Sequence, residues 1–317
     1  MQTLSNYIIS FLIFFIISFI LQQTLISKFR NWFLDYPDYR SSHNDPTPTS
    51  GGIIFVFIGT FGAIYYNFYI PLVCLPLSIT GLFDDRFNVS RKLRYIVQII
   101  TVVILINFSA LEINSGNLFF QYFFKLFLII AMTAIINFVN FMDGIDGLIA
   151  GSMIVYFIIF SLIISPSFIP LISSLIVFLL FNWHPAKVFM GDVGSTFLGA
   201  LFAGSLLQTS NWTECIGCLM IASPILADSF ICVIRRLINK ENIFKPHRKH
   251  LYQRLIGQKG LSHAKVSLIY ISASIICAFS INFLSIYFLI VNFILILILG
   301  IYLDKCIAKS FINSKLT

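Results

Sequence analysis

A chain of 317 residues that is 58% hydrophobic and only 11% charged is not a soluble domain, since soluble chains carry about a quarter charged residues. Its 35 phenylalanines are more apolar rings than a water-facing fold can hide, and they suit a lipid-facing surface. The net charge of +8 comes without a basic patch interleaved with exposed aromatics. That excludes nucleic acid as the partner and leaves membrane topology and attraction to anionic lipid or phosphate.

Apolar blocks of roughly 20 residues are long enough to cross a bilayer as helices. Eleven follow one another, at 4–26, 51–66, 68–83, 95–110, 119–139, 148–164, 167–183, 194–209, 214–234, 265–282 and 284–303. Some neighbours are separated by so few residues that the count is ten or eleven. The predicted class is an all-α, polytopic membrane protein, one domain over 1–317 with no soluble module. The first block is not a cleavable leader, because it lacks a basic start and a small-residue cleavage site and is too long. Lys28 and Arg30 follow it, which predicts an outer N-terminus. Eleven crossings then place 27–50, 84–94, 140–147, 184–193, 235–264 and 304–317 in the cytoplasm, C-terminus included. Of the 21 Lys and Arg, all but Lys125 fall on that side, as the positive-inside rule expects.

Of the 13 acidic residues, only Glu112, Glu214 and Asp228 lie elsewhere. A transporter places ionisable groups at mid-membrane beside broken helices; here they crowd the inner ends of spans, which points to a cytoplasmic site. Asp35, Asp38, Asp45 and Asp304 read as loop charges. Asp228, inside its span, reads as a structural acid paired with a polar group on a neighbouring helix. The six cysteines sit mostly in apolar runs, where Cys packs as a small hydrophobe. The Cys215–Cys218 pair has no second pair or histidine beside it and reads as structural.

Five polar segments carry chemistry. Residues 40–52, RSSHNDPTPTSGG, form a stiff proline loop entering the second span. Next come the adjacent carboxylates Asp84 and Asp85, followed by Arg86, Arg91, Lys92 and Arg94. Two neighbouring acids repel unless a cation, a bound metal or an Arg lies close. In the third segment Asn137, Asn140, Asp143 and Asp146 repeat every three positions. They share a helical face with slow drift, and Gly144 and Gly147 permit a bend or close approach. Such amides and carboxylates suit a hard metal and a nucleotide edge. The fourth, from Asn182 to Ser195, joins Lys187, a natural phosphate contact, to Asp192, a natural metal ligand. Its Gly191–Ser195 backbone opens a helix N-terminus that favours anions. The fifth, with His247, Arg248, Lys249, His250 and Arg254, is a basic loop suited to a diphosphate.

With these five segments in order on one membrane side, the chain resembles the polyprenyl-phosphate N-acetylhexosamine-1-phosphate transferases (bacterial glycosyltransferase family 4). The matching stretches are RSSHNDPTPTSGG, GLFDDRFNVSRKLRYIVQ, NFVNFMDGIDGL, NWHPAKVFMGDVGSTFLG and PHRKHLYQRL. The resemblance implies transfer of N-acetylhexosamine-1-phosphate from a UDP-sugar to undecaprenyl phosphate, with release of UMP and a requirement for Mg²⁺ or Mn²⁺. It places Asp84 and Asp85 near the lipid phosphate and makes Asp192 a metal ligand with Asn140. Asn137, Asn140, Asp143 and Asp146 would line the nucleotide and metal site, and His247, Arg248 and His250 would meet the donor. Lys92 and Lys187 are further candidate substrate contacts. The implied setting is the bacterial inner membrane, with a homodimer as the candidate assembly.

Two departures bear on substrate. PHRKHLYQRL lacks the three adjacent histidines of the muramyl-pentapeptide branch and looks more like the branch that starts O-antigen or other surface glycans. Thr49 and Ser50 stand where many relatives place a basic residue or Met. A phospho-MurNAc-pentapeptide transferase and a nucleotide-sugar or lipid transporter remain the alternatives.

Overall fold

The computed structural model describes residues 4–29, 33–37, 45–112, 117–243, 245–281 and 285–311. The chain is an all-α, polytopic membrane protein. Its helices run in order as α1 (Leu4–Phe29), α2 (Ile53–Tyr65), α3 (Ile70–Phe87), α4 (Arg91–Asn107), α5 (Leu118–Phe141), α6 (Leu148–Ile163) and α7 (Ile169–Asn182). Then follow α8 (Asp192–Leu206), α9 (Trp212–Ile221), α10 (Ser223–Ile238), the short α11 (Leu251–Leu255), α12 (His263–Phe279) and α13 (Ile286–Cys306). A two-residue antiparallel pair, β1 (Leu34–Asp35) with β2 (Thr47–Pro48), rigidifies part of the proline loop.

The eleven expected blocks each coincide with a helix or a bent pair, but not all are long spans. Among the described residues three helices, α1, α5 and α13, have the length and composition to cross a bilayer alone. The expected block 214–234 is two helices, α9 and α10, bent by 76°. Ser223-Pro224 opens α10, and a proline in a first helical turn starts a helix without prolonging the one before. Taken as one broken span, this pair adds a fourth. Four further apolar helices have 10–17 residues, shortened where polar residues leave the helix to build the site.

α8 is the centre of the packing. Every residue from Val193 to Leu206 is buried, and the helix lies against α3, α5, α2 and α4. Its Gly194, Gly199, Ala200, Ala203 and Gly204 let neighbouring backbones approach closely, the usual device between helices in lipid. A Cβ on Gly199 would sit 3.0 Å from the α5 backbone at Ile136. Large apolar side chains instead face outward on α1, α5 and α13, with Phe119 80% exposed and Tyr287 77% exposed. That inversion of the soluble pattern is what a lipid solvent requires.

Candidate active site

The C-terminal ends of α3 and α5, the 142–147 turn, the N-terminus of α8 and the β-pair meet around one polar cavity of about 510 Å³. Asp84, Asp85, Asn140, Asp143, Asp146 and Asp192 all line it. Segments as far apart in sequence as Asp35 and Gln253 thus converge.

The two adjacent aspartates are not equivalent. Successive helical residues point about 100° apart, so they meet different partners. Asp84 is paired with Arg94, which also lies 3.1 Å from Asp192 Oδ2. Asp85 accepts from the Asp192 amide at 2.7 Å, the Val193 amide at 3.4 Å and the Ser50 hydroxyl at 2.8 Å. The α8 N-terminus, expected to attract a substrate anion, is therefore capped by the chain's own carboxylate, which answers both free amides and dipole. Ser50 reaches it from a left-handed backbone (φ 61°).

The 137–146 series divides. Asn137 turns to Gln98, exchanging amide hydrogen bonds of 2.9 and 3.3 Å, and ties α5 to α4 outside the cavity. Truncating Asn137 to Ala strands buried Gln98 and is expected to cost about 1–3 kcal/mol. The Gln98→Leu/Asn137→Leu double variant should melt closer to wild type, since no polar group is stranded. Asn140 does face the cavity, where its Oδ1 accepts from Ser195 at 3.1 Å. Asp146 binds His184 Nδ1 at 2.6 Å and accepts from the Ala186 amide at 3.3 Å. Burial opposes its ionisation, but the His263 and His184 contacts hold its carboxyl below the usual range. Gly144 leaves room for Tyr252, whose hydroxyl donates to the Phe141 carbonyl at 3.1 Å; the close approach is internal.

The basic loop reaches the cavity through Gln253, not through the expected His247, Arg248 and His250, which do not line it. Burial pushes the His247 imidazole down to about 3, leaving it neutral. Burial would also lower His250, but its contact with Asp228 overrides this and raises it to about 9. Asp228 accepts from the Leu251 and Tyr252 amides at 2.7 and 3.0 Å and from the Tyr270 hydroxyl at 2.7 Å. It is the expected structural acid, pinning α11 to α12. Lys92 and Lys187 are exposed outside the cavity wall.

Three side chains at the cavity or bridging its acids were not among the expected site residues. Arg94 bridges the acids; its signal was the i, i+4 pair with Gln98 on an otherwise apolar helix. Asn182 accepts from the Gly147 amide and donates to the Val188 carbonyl, both at 2.9 Å, so it binds the 142–147 turn to the 183–191 segment. Asp35, read as a loop charge, lines the cavity. Asp304 was also misread, since it pairs with Arg235 at 2.6 Å and with Arg254. Asp45 is exposed as expected, whereas Asp38 and residues 40–44 lie outside the described residues. All six cysteines are free, Cys215 and Cys218 being buried.

The family model for glycosyl transferase family 4 matches residues 67–210. A probable undecaprenyl-phosphate N-acetylglucosaminyl 1-phosphate transferase of Bacillus subtilis is 30% identical over 75% of this chain and 74% of its own length. An undecaprenyl-phosphate alpha-N-acetylglucosaminyl 1-phosphate transferase of Thermotoga maritima is 32% identical over 77% and 81%. The Escherichia coli K12 protein of that same name is 28% identical over 78% and 76%. The family match covers three of the five polar segments within a single stretch, and at the identity and coverage of these relatives the chain belongs to the polyprenyl-phosphate hexosamine-1-phosphate transferase family, glycosyl transferase family 4.

Proposed function

We infer that this enzyme transfers N-acetylhexosamine-1-phosphate from a UDP-linked amino sugar to undecaprenyl phosphate, releasing UMP. GlcNAc or a related deoxy amino sugar is the donor sugar, and the reaction starts an O-antigen or other surface polysaccharide at the bacterial inner membrane. The single observation that carries the reading is a cavity at the ends of apolar helices lined by six carboxylates, Asp35, Asp84, Asp85, Asp143, Asp146 and Asp192, two of which Arg94 bridges. The near-complete placement of Lys and Arg on one side supports a cytoplasmic site.

The donor set fits a divalent cation. Asp192, Asn140 and the neighbouring Asp143 offer hard oxygen atoms, the ligands Mg²⁺ and Mn²⁺ prefer. Burial, then the charges of Asp85 and Asp146, push the Asp143 carboxyl up to about 7, a surplus of negative charge that a cation relieves. When bound, such an ion offsets repulsion between the two phosphates and stabilises the leaving UMP. Arg94 adds a fixed positive charge between Asp84 and Asp192. Asp84, paired with that arginine at the cavity wall, is placed to orient the acceptor phosphate; Asp85 is committed to α8. Asp143 and Asp146 take the nucleotide side, with Gln253 and Asn182 at its wall.

The test is a panel of UDP-N-acetylhexosamines with undecaprenyl phosphate and Mg²⁺, read by mass spectrometry of the lipid product and by UMP. Absence of lipid-linked sugar with every donor sinks the reading. Product only with the muramyl-pentapeptide donor selects that branch, and vesicle uptake without covalent transfer selects a transporter.

Asp143 also sets a pH dependence. Its folded carboxyl holds a proton up to about pH 7, whereas an unfolded Asp loses it near 3.9. Between these values the folded state binds more protons, so stability in chelator falls as pH rises. Melting temperatures from pH 4 to 8 should show that fall, and Asp143→Asn should flatten it relative to wild type.

A further inference from the structure

We propose that Asp146, His184 and His263 form a second metal site, one that takes a borderline transition ion of the Zn²⁺ class. Asp146 stands in the wall of the transfer cavity, but this donor set includes none of Asp192, Asn140 and Asp143, the oxygen donors assigned to the Mg²⁺-type ion. Three separate segments deliver the donors: the turn before α6, the segment after α7, and the first residue of α12. Asp146 Oδ2 lies 2.6 Å from His184 Nδ1 and 3.5 Å from His263 Nδ1. The two imidazole centroids are 4.9 Å apart, and the three donor atoms all fall within 4.8 Å of one another. A tetrahedral Zn²⁺ with bonds of 2.0–2.2 Å spaces its ligand atoms about 3.3 Å apart. Small side-chain rotations convert the observed spacing to that one.

His263 supplies the independent observation. The residue is only 8% exposed, and its buried Nδ1 makes no hydrogen bond among the described residues. A buried imidazole nitrogen without a hydrogen bond costs free energy, and this one has only an ion-pair contact with the Asp146 carboxylate at 3.5 Å. A metal between them satisfies both. The donor set also selects the ion, since two imidazoles with one carboxylate favour Zn²⁺ over Mg²⁺. An outer layer steadies the carboxylate group: the Ala186 amide donates to Oδ2 at 3.3 Å, and the Ser267 hydroxyl donates to the Asp146 carbonyl at 2.8 Å. Such partners are what hold metal ligands in orientation. His184 is 39% exposed in its side chain, so a fourth position opens to solvent.

A second trio, Cys232, His247 and His250, also brings its donor atoms together. It lies under the positive charges of Arg236 and Lys249, which repel a cation, and it serves as the internal control. Occupancy of the Asp146 site would fasten the cavity's 142–147 turn to α12 and to the segment leading into α8.

Full-length protein in detergent, stripped with a chelator, is dialysed against Zn²⁺ in excess Mg²⁺, and bound zinc is counted. One Zn²⁺ per chain is expected. His184→Asn and His263→Gln should each weaken binding about tenfold or more, and Cys232→Ser should leave it unchanged. Co²⁺ in its place should give the visible spectrum of a four-coordinate N/O site without a thiolate charge-transfer band. His184 is exposed, so its variant is expected to fold, which a melting curve checks. No stoichiometric zinc, zinc displaced by Mg²⁺, wild-type affinity in His184→Asn, or loss in Cys232→Ser overturns the proposal. None of these readouts uses turnover, so the result is independent of the reaction assigned above.

Discussion

Asp192→Asn is expected to lower turnover by about a thousandfold or more while leaving the melting temperature near that of wild type. The side chain opens α8 at the cavity wall, 29% exposed, with Oδ2 held 3.1 Å from Arg94. Asparagine has the same shape and keeps the backbone N–H that Asp85 accepts at 2.7 Å, so the helix start survives. What disappears is one negative oxygen in a site where two anionic substrates must be brought together. Removing a single preorganised electrostatic contact typically costs a hundred- to a thousandfold, and a lost cation ligand affects both substrates at once. Product formation with UDP-GlcNAc, undecaprenyl phosphate and saturating Mg²⁺ checks this. A wild-type rate would remove Asp192 from the cation's donors. Arg94→Ala supplies the opposite sign of perturbation, because it leaves Asp84 and Asp192 without their shared counter-charge.

The same pair of residues shows what could be learned from sequence. Asp192 was legible because an isolated acid between glycines, at the end of an apolar run, has few structural uses. The convergence of five segments was legible from the positive-inside bias, which places them on one side without specifying their contacts. The distinct duties of Asp84 and Asp85 were not legible, because they depend on which neighbouring element each carboxylate faces. Arg94 was hidden for a related reason: among the four cations Arg86, Arg91, Lys92 and Arg94, only helical phase relative to α3 and α8 singles it out. The basic loop misled for a chemical reason. Its histidines look like phosphate ligands, yet the loop folds so that His250 meets Asp228 and only Gln253 reaches the cavity. The bend between α9 and α10 was concealed by hydropathy, which averages across Ser223-Pro224. The lengths of the shorter helices were overestimated similarly, since apolar composition continues past the residues where helical hydrogen bonding stops.

Gly191→Ala is expected to lower stability by about 3 kcal/mol or more. Gly191 has φ 75° and ψ 167°, a conformation open essentially to glycine alone and costing about 1–3 kcal/mol for other residues. Strain is only part of the effect. A Cβ there would collide with Asp85 Oδ2 and lie 3.0 Å from the Ser50 backbone. Asp85 would have to leave the Asp192 and Val193 amides, stranding buried donors at the start of the central helix. Gly260→Ala separates the two contributions, because Gly260 also has positive φ (72°) but nothing within 4 Å of its Cβ position. Thermal unfolding in detergent should therefore rank wild type above Gly260→Ala, and Gly260→Ala well above Gly191→Ala. Asp85→Asn, which keeps an acceptor oxygen for the Asp192 amide, should fall nearer wild type than Asp85→Ala. Equal melting temperatures for the two glycine variants would mean that Asp85 does not cap α8, and the division of labour between Asp84 and Asp85 would then have to be redrawn.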